Sequence, residues 1–129
     1  MSESPAASAA LRAVDRYLAA LNARDTTAIR DAFNFPHLRI GARGNLSRFE
    51  NPEDYDFGHF FRATEADGWH HTKWDRTEVV FATEGKAHVA VDFTRYREDG
   101  SVIGRYFSLY IVTCQDGHWG IQVGSGNGA

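Results

Sequence analysis

Asp92 stands in the middle of a run of β-forming residues, with Val91 and Phe93 beside it. A carboxylate desolvated in such a setting has its pKa raised toward that of a working general base. An exposed Asp92, or one paired with Arg95 or Arg105, is the competing reading. His37, following Pro36, and His71, opening another β-rich run, are the other candidate bases. A histidine hydrogen-bonded to backbone is the plainer role for His37. Tyr106 and Tyr110 flank Ser108 at alternate positions of the next run and offer phenol donors to a developing enolate oxygen. Tyr55 and Trp74 add apolar area, and Trp74 an indole N–H that needs a partner. These residue types describe proton transfer on a small, mostly apolar, cyclic molecule, or the binding of such a molecule without reaction.

Other chemistries find less support. The six histidines show neither the helical two-histidine spacing of zinc proteases nor a cysteine partner, so no metal site is expected. His70 and His71 are consecutive, and in a strand they point to opposite sides. Cys114 stands alone and has no basic neighbour to activate it, which leaves no disulfide framework and suits a reducing cytoplasm. Residues 124–128 are glycine-rich, but no helix or lysine follows, so they read as a tail rather than a phosphate loop. No cofactor is implied. A net charge of −3 without a basic stripe argues against nucleic acid. No apolar run approaches the ~20 residues that span a bilayer, and the first nine residues lack the basic head and apolar core of a secretory signal. The cytoplasm is the expected location.

The elements that position these residues follow from pattern. At 129 residues the chain suits one domain. Residues 1–7 read as a flexible lead-in, 8–126 as the domain and 127–129 as a tail. Ser8 caps an amphipathic helix over 9–24, and Asp25 caps a short one over 26–33. Short strands follow at 37–40 and 46–49. Asn51, Pro52, Glu53 and Asp54 signal a helix start, and Gly68 a stop. A strand over 71–83 then leads into a meander at 86–98, 102–114 and 118–125. Its hairpins are set by Asp99-Gly100 and Asp116-Gly117, since Gly accepts positive φ without steric cost. Alternation in the meander separates a mainly aliphatic face from one carrying Asp92, Tyr106 and Tyr110. Helices gathered on one face of a strongly curved antiparallel sheet make an α+β cone-shaped barrel with an internal pocket.

This order resembles the nuclear-transport-factor-2-like superfamily, and in particular its SnoaL-like members, from about residue 8 to 126. The resemblance rests on Tyr17-Leu18-Ala19-Ala20-Leu21-Asn22-Ala23-Arg24-Asp25, on Phe35-Pro36-His37-Leu38-Arg39-Ile40 and on Asp116-Gly117-His118-Trp119-Gly120-Ile121. It implies a cone-shaped pocket for a small apolar or cyclic ligand and a homodimer formed through the sheet. Related cones include polyketide cyclases, ketosteroid isomerase, scytalone dehydratase and non-catalytic binding proteins. Where ketosteroid isomerase places its base aspartate, this chain has Leu38-Arg39-Ile40-Gly41; where scytalone dehydratase uses an aspartate, it has Asn22, a ligand-contact candidate. The expected functions are therefore a proton-transfer isomerase, cyclase or dehydratase, a non-catalytic carrier or sensor, or an association module.

Overall fold

The computed structural model describes residues 4–128, the side chain of His59 apart. Helix α1 (Pro5–Asn22) starts earlier than expected, because Ser4 rather than Ser8 supplies the cap and Pro5 takes the first turn. Ala10, Ala13, Val14, Tyr17 and Leu21 form its buried stripe. Asp25 caps α2 (Thr26–Asp31) by accepting from the Ala28 amide. That helix ends before Phe33, which opens β1 (Phe33–Ile40). The strand passes through Pro36 in a cis peptide and is twice the expected length, because β6 pairs beside it from Phe33 onward.

After β2 (Leu46–Phe49) the expected single helix is broken into three pieces. Pro52–Asp54 form a 3₁₀ turn with an Asn51–Asp54 capping box; α3 (Phe57–Thr64) follows, then a second 3₁₀ turn at Glu65–Asp67. Gly68 stops it in the left-handed region, as its lack of Cβ permits. The remaining strands are β3 (Trp69–Ala82), β4 (Lys86–Arg97), β5 (Val102–Gln115) and β6 (His118–Gly126). Asp116 and Gly117 both take positive φ in a two-residue hairpin, and Gly100 does so in the β4–β5 turn.

The six strands form one sheet in the order β2-β1-β6-β5-β4-β3. Every pairing is antiparallel except β1 with β6, so the sheet is mixed rather than wholly antiparallel. Register shifts interrupt β3 against β4 at three places, and β5 against both of its neighbours. Each extra residue bends and twists its strand, and these bulges curl the sheet around α1. Val14, Ile29, Phe33, Val89, Val91, Val112 and Ile121 lie fully buried between helix and sheet. No helix is long and apolar enough to cross a membrane.

Register corrects the expected division of faces. Asp92 pairs with Phe107, whereas Val91 pairs with Ser108, Phe93 with Tyr106 and Val89 with Tyr110. Cross-strand partners share a face, so Asp92 lies on the outer surface while Tyr106, Ser108 and Tyr110 join the aliphatic positions inside. The turn between the strands sets that offset, and alternation within each strand alone does not reveal it.

Candidate functional site

A cavity of about 330 Å³ lies between α1, α3 and the concave sheet. Tyr17 and Leu21 of α1 wall one side, with Tyr55 and Phe60 near α3. Trp74, Phe93, Ser108 and Tyr110 form the floor, and Arg39 and Arg95 project into it from β1 and β4. The aromatic rings lean on one another: Tyr17 lies 5.9 Å from Tyr110 and 6.5 Å from Trp74, and Trp74 lies 5.6 Å from Phe93. Such a wall is apolar and rigid, with polar tips. Ala63 is exposed at the mouth.

Of the sequence candidates, Tyr55, Trp74 and Tyr110 line this space. Burial raises the pKa of Tyr55 and Tyr110, with Tyr17 adding and Arg39 opposing, so both phenols remain protonated donors. Tyr106 stands one step away, 4.7 Å from the Arg95 guanidinium carbon, and helps to sandwich that cation with Phe60. Asn22 does not reach the cavity. Its amide donates to the Thr72 carbonyl at 2.8 Å and accepts from the Thr72 amide at 2.9 Å, clamping the end of α1 to β3.

The three candidate bases lie elsewhere. Asp92 accepts from Arg76 at 2.9 Å on the outer face, where its side chain is 43% exposed, rather than lying in the expected desolvated setting. His71 stacks on Tyr96 at 5.0 Å, away from the cavity. Its pKa is lowered first by burial and then by His70 and Lys73. His37 is fully buried behind Arg39. Its Nε2 accepts from Arg39 Nε at 2.9 Å, which leaves Nδ1 to donate to the Ile121 carbonyl at 2.8 Å. The ring stacks on Phe33 at 3.8 Å. Burial, and then the Arg39 charge, push its pKa to about 2 against the pull of the carbonyl. It is a neutral support for an arginine.

Arg39 and Arg95 are the residues that sequence reasoning passed over. Arg39 lies over Tyr17, Phe33 and Tyr110 at 5.1 to 5.8 Å. Burial disfavours its charge and the phenols of Tyr17, Tyr110 and Tyr55 favour it, with a net pKa above the ordinary value. Arg95 is 8% exposed and donates to the Gly128 carbonyl. Burial lowers its pKa, against the phenols of Tyr17, Tyr106 and Tyr110. Both remain cations at working pH. The signal was present in the inward parity of Arg95 with Val89, Val91 and Phe93.

The glycines first read as a tail also belong here. A Cβ on Gly124 would stand 3.0 Å from Arg39 Nη1, one on Gly126 2.3 Å from Ser108 Oγ, and one on Gly128 2.8 Å from Arg95 Nη2. The missing side chains of Gly124 and Gly128 make the room that the two arginines occupy, and that of Gly126 admits Ser108. Among the described residues, no group of three or more His, Cys, Asp or Glu side chains could hold a metal ion.

A comparison with functionally curated proteins finds no match. Solved structures of the same fold are numerous. An NTF-2 like protein of unknown function from Shewanella oneidensis MR-1 superposes with a TM-score of 0.73 at 13% identity, over 94% of this chain and 98% of that one. A ketosteroid isomerase-like protein from Erwinia carotovora atroseptica SCRI1043 gives 0.72 at 15% identity, over 97% of each chain. A protein of unknown function with a cystatin-like fold from Nostoc punctiforme PCC 73102 gives 0.75 at 16%, over 98% of this chain and 94% of that one. At these identities the likeness is one of fold. The model of one family, described as NTF2-like protein (DUF6841), matches residues 8–126. The chain belongs to that NTF2-like family.

Proposed function

We propose that this protein binds a small, mostly apolar, ring-bearing molecule in the cone cavity and acts as a carrier or sensor rather than as a proton-transfer enzyme. The observation that supports the reading is a 330 Å³ cavity walled by aromatic side chains, in which no carboxylate or histidine appears among the described residues. That volume is at the small end of the range for ligand pockets. Isomerases, cyclases and dehydratases of this architecture need a group that takes up and returns a proton. The phenols of Tyr55 and Tyr110 are held protonated by burial, and the arginines do not release protons at working pH. The ketosteroid isomerase-like neighbour favours the catalytic alternative, and the two readings part on whether bound ligand is converted. We also propose a homodimer through the outer sheet face, where Phe81 and Phe107 are 51% and 42% exposed.

Ala63→Trp provides the test. The residue is exposed at the cavity mouth, so a large ring there is expected to block entry while leaving the melting temperature unchanged. Isothermal titration with two-ring aromatic compounds should give saturable binding to the unsubstituted protein and none to the variant, and chromatography should recover each ligand unaltered. Equal binding to both proteins would move the site elsewhere, and a converted ligand would restore the enzyme reading.

A further inference from the structure

The buried side-chain atoms that lack a hydrogen-bond partner are concentrated around this cavity. Arg39 Nη2, Arg95 Nε and Trp74 Nε1 all belong to lining residues, and all are N–H donors. Among the described residues no buried side-chain oxygen is left in that condition. Two of the three donors sit on cations. No carboxylate lines the space or forms an ion pair with either arginine among the described residues. A buried donor without an acceptor is costly, and a buried cation without an anion more so. The cavity is therefore mismatched to a neutral hydrocarbon and matched to a ligand that brings acceptors and negative charge.

Arg39 is prepared for that contact. His37 fixes Nε from behind, three aromatic rings hold the guanidinium plane, and the missing side chain of Gly124 lets Nη1 pack against that strand. Its Nη2 remains a donor without a partner, placed to give a charge-assisted hydrogen bond to a carboxylate oxygen. Arg95 already gives Nη1 to the Gly128 carbonyl.

Resting on the reading that the cavity holds a ligand, we propose that the ligand is an organic acid. Its ring body lies against Trp74, Phe93 and Tyr110, its carboxylate pairs with Arg39, and Arg95 adds positive potential. Selectivity over neutral analogues then follows from the donors that a neutral group leaves unmatched.

The experiment compares acids with their uncharged isosteres. 2-Naphthoate and indole-3-acetate are titrated calorimetrically against 2-naphthamide and indole-3-acetamide, on the unsubstituted protein and on Arg39→Met and Arg39→Lys. The acids should bind at least tenfold more tightly than the amides. Arg39→Met should erase that difference by weakening the acids alone, and Arg39→Lys should keep part of it. If Arg39→Met does not fold, the acid-to-amide ratio on the unsubstituted protein decides by itself. Equal affinity for acid and amide, with binding still blocked by Ala63→Trp, overturns the acid inference and leaves the cavity as a binding site. Failure of all four compounds to bind removes both.

Discussion

His37 shows how a residue chosen for its chemistry serves a different end. A histidine with an acceptor on one side and an arginine donor on the other has a single proton, fixed on Nδ1. The unfolded chain takes up a second proton near pH 6.5, whereas the folded protein resists it down to about 2. The stabilisation is complete above pH 6.5 and declines on acidification, by about 1.4 kcal/mol per pH unit for this one group. Urea unfolding between pH 6.5 and 5, before most carboxylates titrate, should show that slope. His37→Gln, which keeps a donor and an acceptor but cannot titrate, should be flatter. An identical slope in both proteins would remove His37 as the source. The same variant should also weaken acid binding, because the Arg39 support loosens.

At the scale of elements, the site depends on how α1 is fastened. Tyr17 and Leu21 face the cavity from its last turns, and Asn22 ends the helix by pairing twice with the backbone of Thr72. Asn22→Ala removes both bonds and leaves a buried peptide edge unmatched. Loss of about 1–3 kcal/mol is expected in a denaturant titration, with weaker ligand binding, because Thr72 itself lines the cavity. A stability change within experimental error would mean that packing alone holds α1. The bulges of β3 work in the same direction from the opposite side. Without them the sheet would lie flatter under the helix.

For the whole molecule, the curl of the sheet creates two surfaces of different character. The concave one encloses aromatic rings and two cations. The convex one carries Phe81, Phe107 and Asp92, together with the partly buried Leu109 and Ile111. Phe81 and Phe107 are large apolar side chains left exposed there beside the Arg76–Asp92 ion pair. Phe107→Glu should shift a dimer to monomers in sedimentation velocity at micromolar concentration, with the fold intact by circular dichroism. A monomeric unsubstituted protein would dismiss the interface. Because the cavity opens on the other side of the sheet, ligand affinity should survive the substitution.

Much of this architecture was written locally. The Asp-Gly hairpins, the Asp25 cap, the β-branched runs and the stop at Gly68 are decided by φ preferences and side-chain reach over a few residues, and they appear where the pattern places them. The α+β order and the presence of a hollow follow from them. The boundaries that slipped depend on contacts beyond the segment: β1 runs back through Pro36 because β6 pairs beside it, and the third helix breaks where Tyr55 turns into the core. What only the tertiary structure decided is which side chains meet. Register carried Asp92 outward and brought Arg39, Arg95 and a row of glycines together across three strands. A strand knows its own alternation, but the face it shares with its neighbour is fixed by the turn and the bulge between them.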